Sequence, residues 1–114
     1  KVDKKGEATT LSNLGSVYSS LGEWQKSLEF NNLALVIRRE INDTKGEAAT
    51  LNNLSNLYQK LGENQKALEH LEKSYNILVK RGDKSRDAEI FSNFGTINAN
   101  LGNKQKALGF FEQS

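Results

Sequence analysis

Apolar side chains recur along this chain at steps of three and four residues, in blocks broken by short polar turns. In one block Ala48, Leu51, Leu54, Tyr58 and Leu61 form such a stripe. After Gly62 a second stripe follows in Ala67, Leu68, Leu71, Tyr75 and Leu78, closed by Gly82-Asp83. This spacing puts each set on one face of a helix. A glycine just past the last apolar residue suits a left-handed helix end. The same reading predicts six helices, at about 7–21, 24–41, 46–61, 64–81, 86–101 and 104–114. Connections of two to four residues make each helix antiparallel to the next. Asp43 and Asp83 are placed to cap the helices that follow them, and Thr44 with Glu47 has the spacing of a capping box.

The pattern also repeats. Lys5-Gly6-Glu7-Ala8 returns as Lys45-Gly46-Glu47-Ala48, and Leu21-Gly22 returns as Leu61-Gly62 and Leu101-Gly102. Gln25-Lys26-Ser27-Leu28 returns as Gln65-Lys66-Ala67-Leu68 and Gln105-Lys106-Ala107-Leu108. A fixed period of forty residues means stacked units that share their cores with neighbours. The fold class expected is all-α, a right-handed α-solenoid of three antiparallel helix hairpins with the last repeat incomplete. Its units are 5–44, 45–84 and 85–114, after a lead-in at 1–4. The start at Lys1 and the stop part-way through a unit read as a fragment of a longer protein. Small residues recur where paired helices must cross: Gly15, Ser55 and Gly95 on the first helices, and Ser27, Ala67 and Ala107 on the second.

Each copy carries a further pattern. Asn13-Leu14-Gly15, Tyr18, Leu21-Gly22 and Ser27-Leu28 are matched by Asn53-Leu54-Ser55, Tyr58, Leu61-Gly62 and Ala67-Leu68. The third copy is Asn93-Phe94-Gly95, Asn98, Leu101-Gly102 and Ala107-Leu108. These residues resemble the tetratricopeptide repeat, over almost the whole chain. The period of 40 rather than 34 and the absence of a closing proline resemble the long-helix subclass, as in kinesin light chains, spindle-orientation scaffolds and bacterial arrays. Asn98 departs from the family tyrosine, which weakens the last unit or marks the edge of the array. The resemblance implies a non-catalytic scaffold that binds an extended peptide or a partner helix in a concave groove formed by the first helices.

With the apolar stripe set aside, the first helices keep a second face that is small, polar and mostly uncharged. Asn13, Asn53 and Asn93 are the leading candidates on it, followed by Asn52 and Asn56, with Ser12, Ser16, Ser92, Thr96 and Lys60 beside them. Asparagine amides both donate and accept, so a ladder of them can satisfy the backbone of an extended peptide. Equally, such asparagines can bond to a neighbouring helix and set the superhelical angle. Ser12, Asn52 and Ser92 stand where a clamp for C-terminal carboxylates would place its cations, which argues against that ligand.

Charge narrows the partners. Sixteen basic and 14 acidic residues leave a net +2, too balanced for nucleic acid or an anionic membrane. With no cysteine, no disulfide and no thiolate metal site can form, which fits a cytoplasmic protein. No cofactor, metal or catalytic constellation is expected; the lone His70 reads as a solvated helix position between Glu69 and Glu72. Trp24 reads as partly core or as an exposed anchor for a preceding repeat or a partner. Phe110 and Phe111, near the end of the last helix, raise the prospect of homo-oligomers formed through uncapped solenoid ends.

Overall fold

Among the described residues six helices form where the apolar stripes predict them. The computed structural model describes residues 3–114. The helices are α1 Lys4–Ser20, α2 Trp24–Glu40, α3 Thr44–Lys60, α4 Asn64–Arg81, α5 Asp87–Asn100 and α6 Lys104–Gln113. Successive helices pair as hairpins that stack into a slab of 51 × 33 × 18 Å. Its hydrophobic core is serial. Leu28 and Leu35 of α2 pack on Leu51, Leu54 and Leu57 of α3. Ala48, Ala67, Leu71 and Leu78 pack on Ile90, Phe94 and Ile97 of α5. Tyr58 and Ile77 touch both groups and join them.

The turns are built alike. After α1, α3 and α5, Gly22, Gly62 and Gly102 take positive φ angles of 76°, 76° and 85°. The next amide then reaches back five residues: Glu23 N donates to Tyr18 O at 2.9 Å and Glu63 N to Tyr58 O at 2.8 Å. The corresponding bond from Asn103 N to Asn98 O is 2.7 Å. These bonds satisfy carbonyls that a helix end would otherwise leave unpaired.

Each hairpin closes over small residues. Ser27 Oγ of α2 donates to Gly15 O of α1 at 2.7 Å, while in the second hairpin Ser55 Oγ of α3 donates to Ala67 O of α4 at 2.8 Å. The hydroxyl has changed helices, but the bond still pins the crossing. In the third hairpin Gly95 lies under the ring of Phe111, which an added Cβ would approach to 2.7 Å.

Capping separates expectation from structure. Asp3 accepts from Gly6 N at 3.0 Å, so α1 starts earlier than the apolar stripe indicated. Asp43 caps α3 in the same way through Gly46 N at 3.0 Å. Thr44 is then already helical and forms no capping box with Glu47; its Oγ1 accepts from Arg81 Nη1 at 2.7 Å, and Glu47 pairs with Arg39. Asp83 does not cap α5. Its carboxylate accepts from Ser85 N and Oγ at 2.9 and 2.6 Å, and α5 begins only at Asp87. The reason lies at the residue three positions after the aspartate. At Gly46 a Cβ would collide with the Asp43 carboxylate and with Arg38; the matching position before α5 is Arg86.

Arg38 Nη1 meets Asp43 Oδ2 at 2.6 Å, with both side chains largely buried. The Gly46 amide, and with it Arg38, holds the Asp43 carboxyl below its ordinary value of 3.8, against an opposing effect of burial. Because the folded pKa is depressed, the stabilisation is complete above the ordinary value and is lost as pH falls through the folded one. Asp43→Asn should therefore cost about 1–3 kcal/mol near neutrality. Melting both proteins between about pH 6 and pH 2 should show the gap closing toward acid; a gap independent of pH would show that the carboxylate charge contributes nothing.

Candidate functional site

The first helices of the hairpins line one side of the stack, and a cleft of about 220 Å³ opens between α1 and α3. Ser16 and Ser19 form one wall. Asn53, Asn56, Leu57 and Lys60 form the other, and Ser27 and Asn31 of α2 close the base. Ser16 and Asn53 are exposed and Asn56 is half-buried. Lys60, the cation expected on this face, has Nζ 5.0 Å from the centre of the Trp24 ring, a cation–π contact that holds it at the edge of the cleft. Trp24 is itself half-buried against the Leu28–Leu54 cluster.

The base of the cleft holds its most telling group. Asn31 is buried, and its Nδ2 donates to Ser27 O at 2.9 Å. Its Oδ1 is buried with no hydrogen-bond partner. Leaving a buried carbonyl oxygen unpaired costs about 1–3 kcal/mol, so a native site that keeps one calls for an explanation. In the second hairpin the same position is Leu71, fully buried in the core. Asn31 lies outside the sequence-predicted polar face; its signal in the sequence is a polar residue aligned with an apolar leucine.

The polar face foreseen on the first helices divides in two. Ser16, Asn53, Asn56 and Lys60 come together in the cleft. Asn13 is exposed and Ser12 half-buried on α1, outside the cleft lining. Asn52, expected on the ligand face, is instead buried: its Nδ2 donates to Glu89 Oε1 at 2.7 Å and its Oδ1 accepts a long 3.4 Å bond from Asn93 Nδ2. Those contacts tie α3 to α5, because Glu89 supplies an acceptor that the other hairpins lack. Thr96 Oγ1 donates to Ser92 O at 3.1 Å, a bond within its own helix. His70 is not a freely solvated position: its ring lies 4.9 Å from that of Tyr58, and Nδ1 meets Lys66 O at 2.8 Å.

Among the described residues no group of three His, Cys, Asp or Glu side chains could hold a metal ion. No described helix is long and apolar enough to cross a membrane.

The family model described as tetratricopeptide repeat matches residues 6–80 and again 46–114. Among solved structures, the chain is similar to the TPR domain of Arabidopsis FLU, with a TM-score of 0.91 and 20% identity over 96% of this chain and 92% of that one. It is also similar to BtubC (BKLC) from P. vanneervenii, with a TM-score of 0.89 and 22% identity over 99% of this chain and 46% of that one. A putative kinesin light chain from Podospora anserina with nearly identical TPR-like repeats gives 0.82 and 19%, over 99% of this chain and 55% of that one. The chain thus spans about half the length of the latter two. No curated protein matches it in sequence.

Proposed function

Because this chain belongs to the tetratricopeptide repeat family, whose members are in general non-catalytic scaffolds for protein–protein contact, we propose that it holds an extended peptide of a partner protein in the cleft between α1 and α3. The observation that carries this reading is the pair of unengaged amides, Asn53 and Asn56, on one wall of a polar cleft. They offer donors and acceptors to the backbone of a bound segment. Neither of those two side chains carries a hydrogen bond within the described chain, so both are free to act on a ligand at little cost to the fold. The cleft is nearly uncharged apart from Lys60, which suits recognition of backbone rather than of an acidic side chain.

The test uses peptides selected from a random display library against the wild-type protein. Asn53→Ala with Asn56→Ala should weaken their binding about tenfold or more, roughly the worth of one or two hydrogen bonds, while the melting temperature stays within about 2 °C. The recurring set, Asn13, Asn53 and Asn93 changed together, should weaken binding no further than this pair does, since Asn93 is already engaged with Asn52. Undiminished binding in the Asn53/Asn56 variant would rule out the cleft.

A second reading, self-assembly by stacking end to end, rests on a different observation. Val17 of α1 is 56% exposed, whereas its repeat counterpart Leu57 is 3% exposed. Leu108 of α6 is 56% exposed, whereas its counterpart Leu28 is 7% exposed. Each of these exposed side chains stands where a neighbouring hairpin would cover it, and joining the two ends of separate copies would bury both. Light scattering over a dilution series should then show a mass that rises with concentration and returns to the monomer in Val17→Asp; a monomer throughout would eliminate this reading.

A further inference from the structure

A larger cleft, of about 490 Å³, opens on the other side of the stack between α4 and α6. Its floor is Phe91, Phe94 and Asn98 of α5, and its walls include Leu68 and Tyr75 of α4 and Phe110 of α6. The internal repeats show what is missing from it. In the first hairpin the Tyr18 ring stacks on Phe30, with centroids 5.4 Å apart and planes at 4°. In the second, Tyr58 fills the corresponding place, packing on His70 and on the core clusters to either side. In the third the tyrosine position is Asn98. Phe110, deprived of that partner, rests on Phe94 and Phe91 with centroids 5.0 and 6.3 Å away, and Tyr75 meets Phe94 edge-on at 6.1 Å. The cleft is the room left by an absent phenol, and four aromatic rings surround it.

Asn98 makes this more than a packing gap. It is only 3% exposed yet lines the cleft. Its Nδ2 donates to Phe94 O at 2.8 Å, which fixes the orientation of the amide. Its Oδ1 accepts no hydrogen bond from any described residue. We infer that this cleft is a second binding site, which takes the side chain of a tyrosine presented by a partner polypeptide, its ring among Tyr75, Phe91, Phe94 and Phe110 and its hydroxyl donating to Asn98 Oδ1. Aromatic rings favour another ring in edge-to-face or offset contact, and an unpaired acceptor that the ligand closes off from water discriminates in favour of a ligand that carries the matching donor. The amides of Asn76 and Gln113 at the cleft can hold the backbone on either side of such a residue, which is what selects a polypeptide over a free phenol. This inference does not depend on the cleft between α1 and α3.

The test is a titration of the isotope-labelled chain, followed by amide chemical shifts, with three probes: a blocked Gly-Tyr-Gly peptide, the same peptide with phenylalanine, and p-cresol. The tyrosine peptide should shift amides around Asn98 and Phe110 and bind about fivefold or more tightly than the phenylalanine peptide, the worth of one hydrogen bond. Asn98→Tyr should supply the missing ring from within, abolishing binding and raising the melting temperature by about 4 °C. Gly109→Leu is an independent block: a Cβ there meets nothing within 4 Å, so the side chain can enter the cleft without disturbing the fold, and binding should again be lost. Equal affinity for the two peptides, binding that survives both substitutions, or binding of p-cresol alone would each overturn the inference.

Discussion

Leu54→Ala should destabilise the protein by about 2–5 kcal/mol. Leu54 is fully buried where α3 meets α2, in contact with the Leu28 and Leu35 group. In a globule with one core such a cavity weakens the whole molecule alike. Here the core is a chain of local joints, so the loss falls on the junction between the first and second hairpins. Amide hydrogen exchange in the variant should show α1 and α2 opening at lower free energy than α4 and α5. The repeat supplies its own control. Leu14 holds the same repeat position in α1 but is exposed, so Leu14→Ala should change stability by no more than about 0.5 kcal/mol. Comparable losses in the two variants would mean that the hairpins do not stack as described.

Gly15→Leu should cost about 3 kcal/mol, toward the upper end for an overpacked crossing. A Cβ at this position would already lie 2.5 Å from Asn31 Nδ2 and 3.5 Å from Ser27 O. The larger side chain would also separate α1 from α2 and break the 2.7 Å bond from Ser27 Oγ to Gly15 O. The second hairpin shows how the same crossing accommodates a side chain, pairing Ser55 with Leu71 where the first pairs Gly15 with Asn31. Gly15→Ser should therefore be tolerated better together with Asn31→Leu than alone, a coupling of about 0.5–3 kcal/mol in a double-mutant cycle. Thermal melts of the wild type, the two single variants and the double variant measure it, and strict additivity would show that the two side chains do not meet.

Much of the frame was legible in sequence because its causes are local. Apolar residues at helical spacing, glycines at left-handed turn positions and small residues at crossings each act within a few positions, and three copies reinforce one another. What escaped depends on distant partners. Asp43 and Asp83 look alike in sequence, but only Asp43 is followed by a residue small enough to leave room for Arg38 and the cap. Asn52 matches the polar face of α3, yet Glu89, 37 residues away, turns it into a strut between helices. Asn31 lies on a second helix, off the polar face of the first helices, and its unpaired oxygen emerges only when α1, α2 and α3 are assembled. The departure at Asn98 is plain in the sequence; that it opens a cleft instead of merely loosening the last hairpin follows from where Phe110 settles.

The measurement closest to the central claim is a map of amide chemical shifts for a display-selected peptide bound to the wild-type chain. Binding between α1 and α3 should place the largest shifts around Ser16, Asn31, Asn53 and Asn56. Largest shifts on the outward surfaces of α2 and α4, with those four positions unmoved, would contradict it.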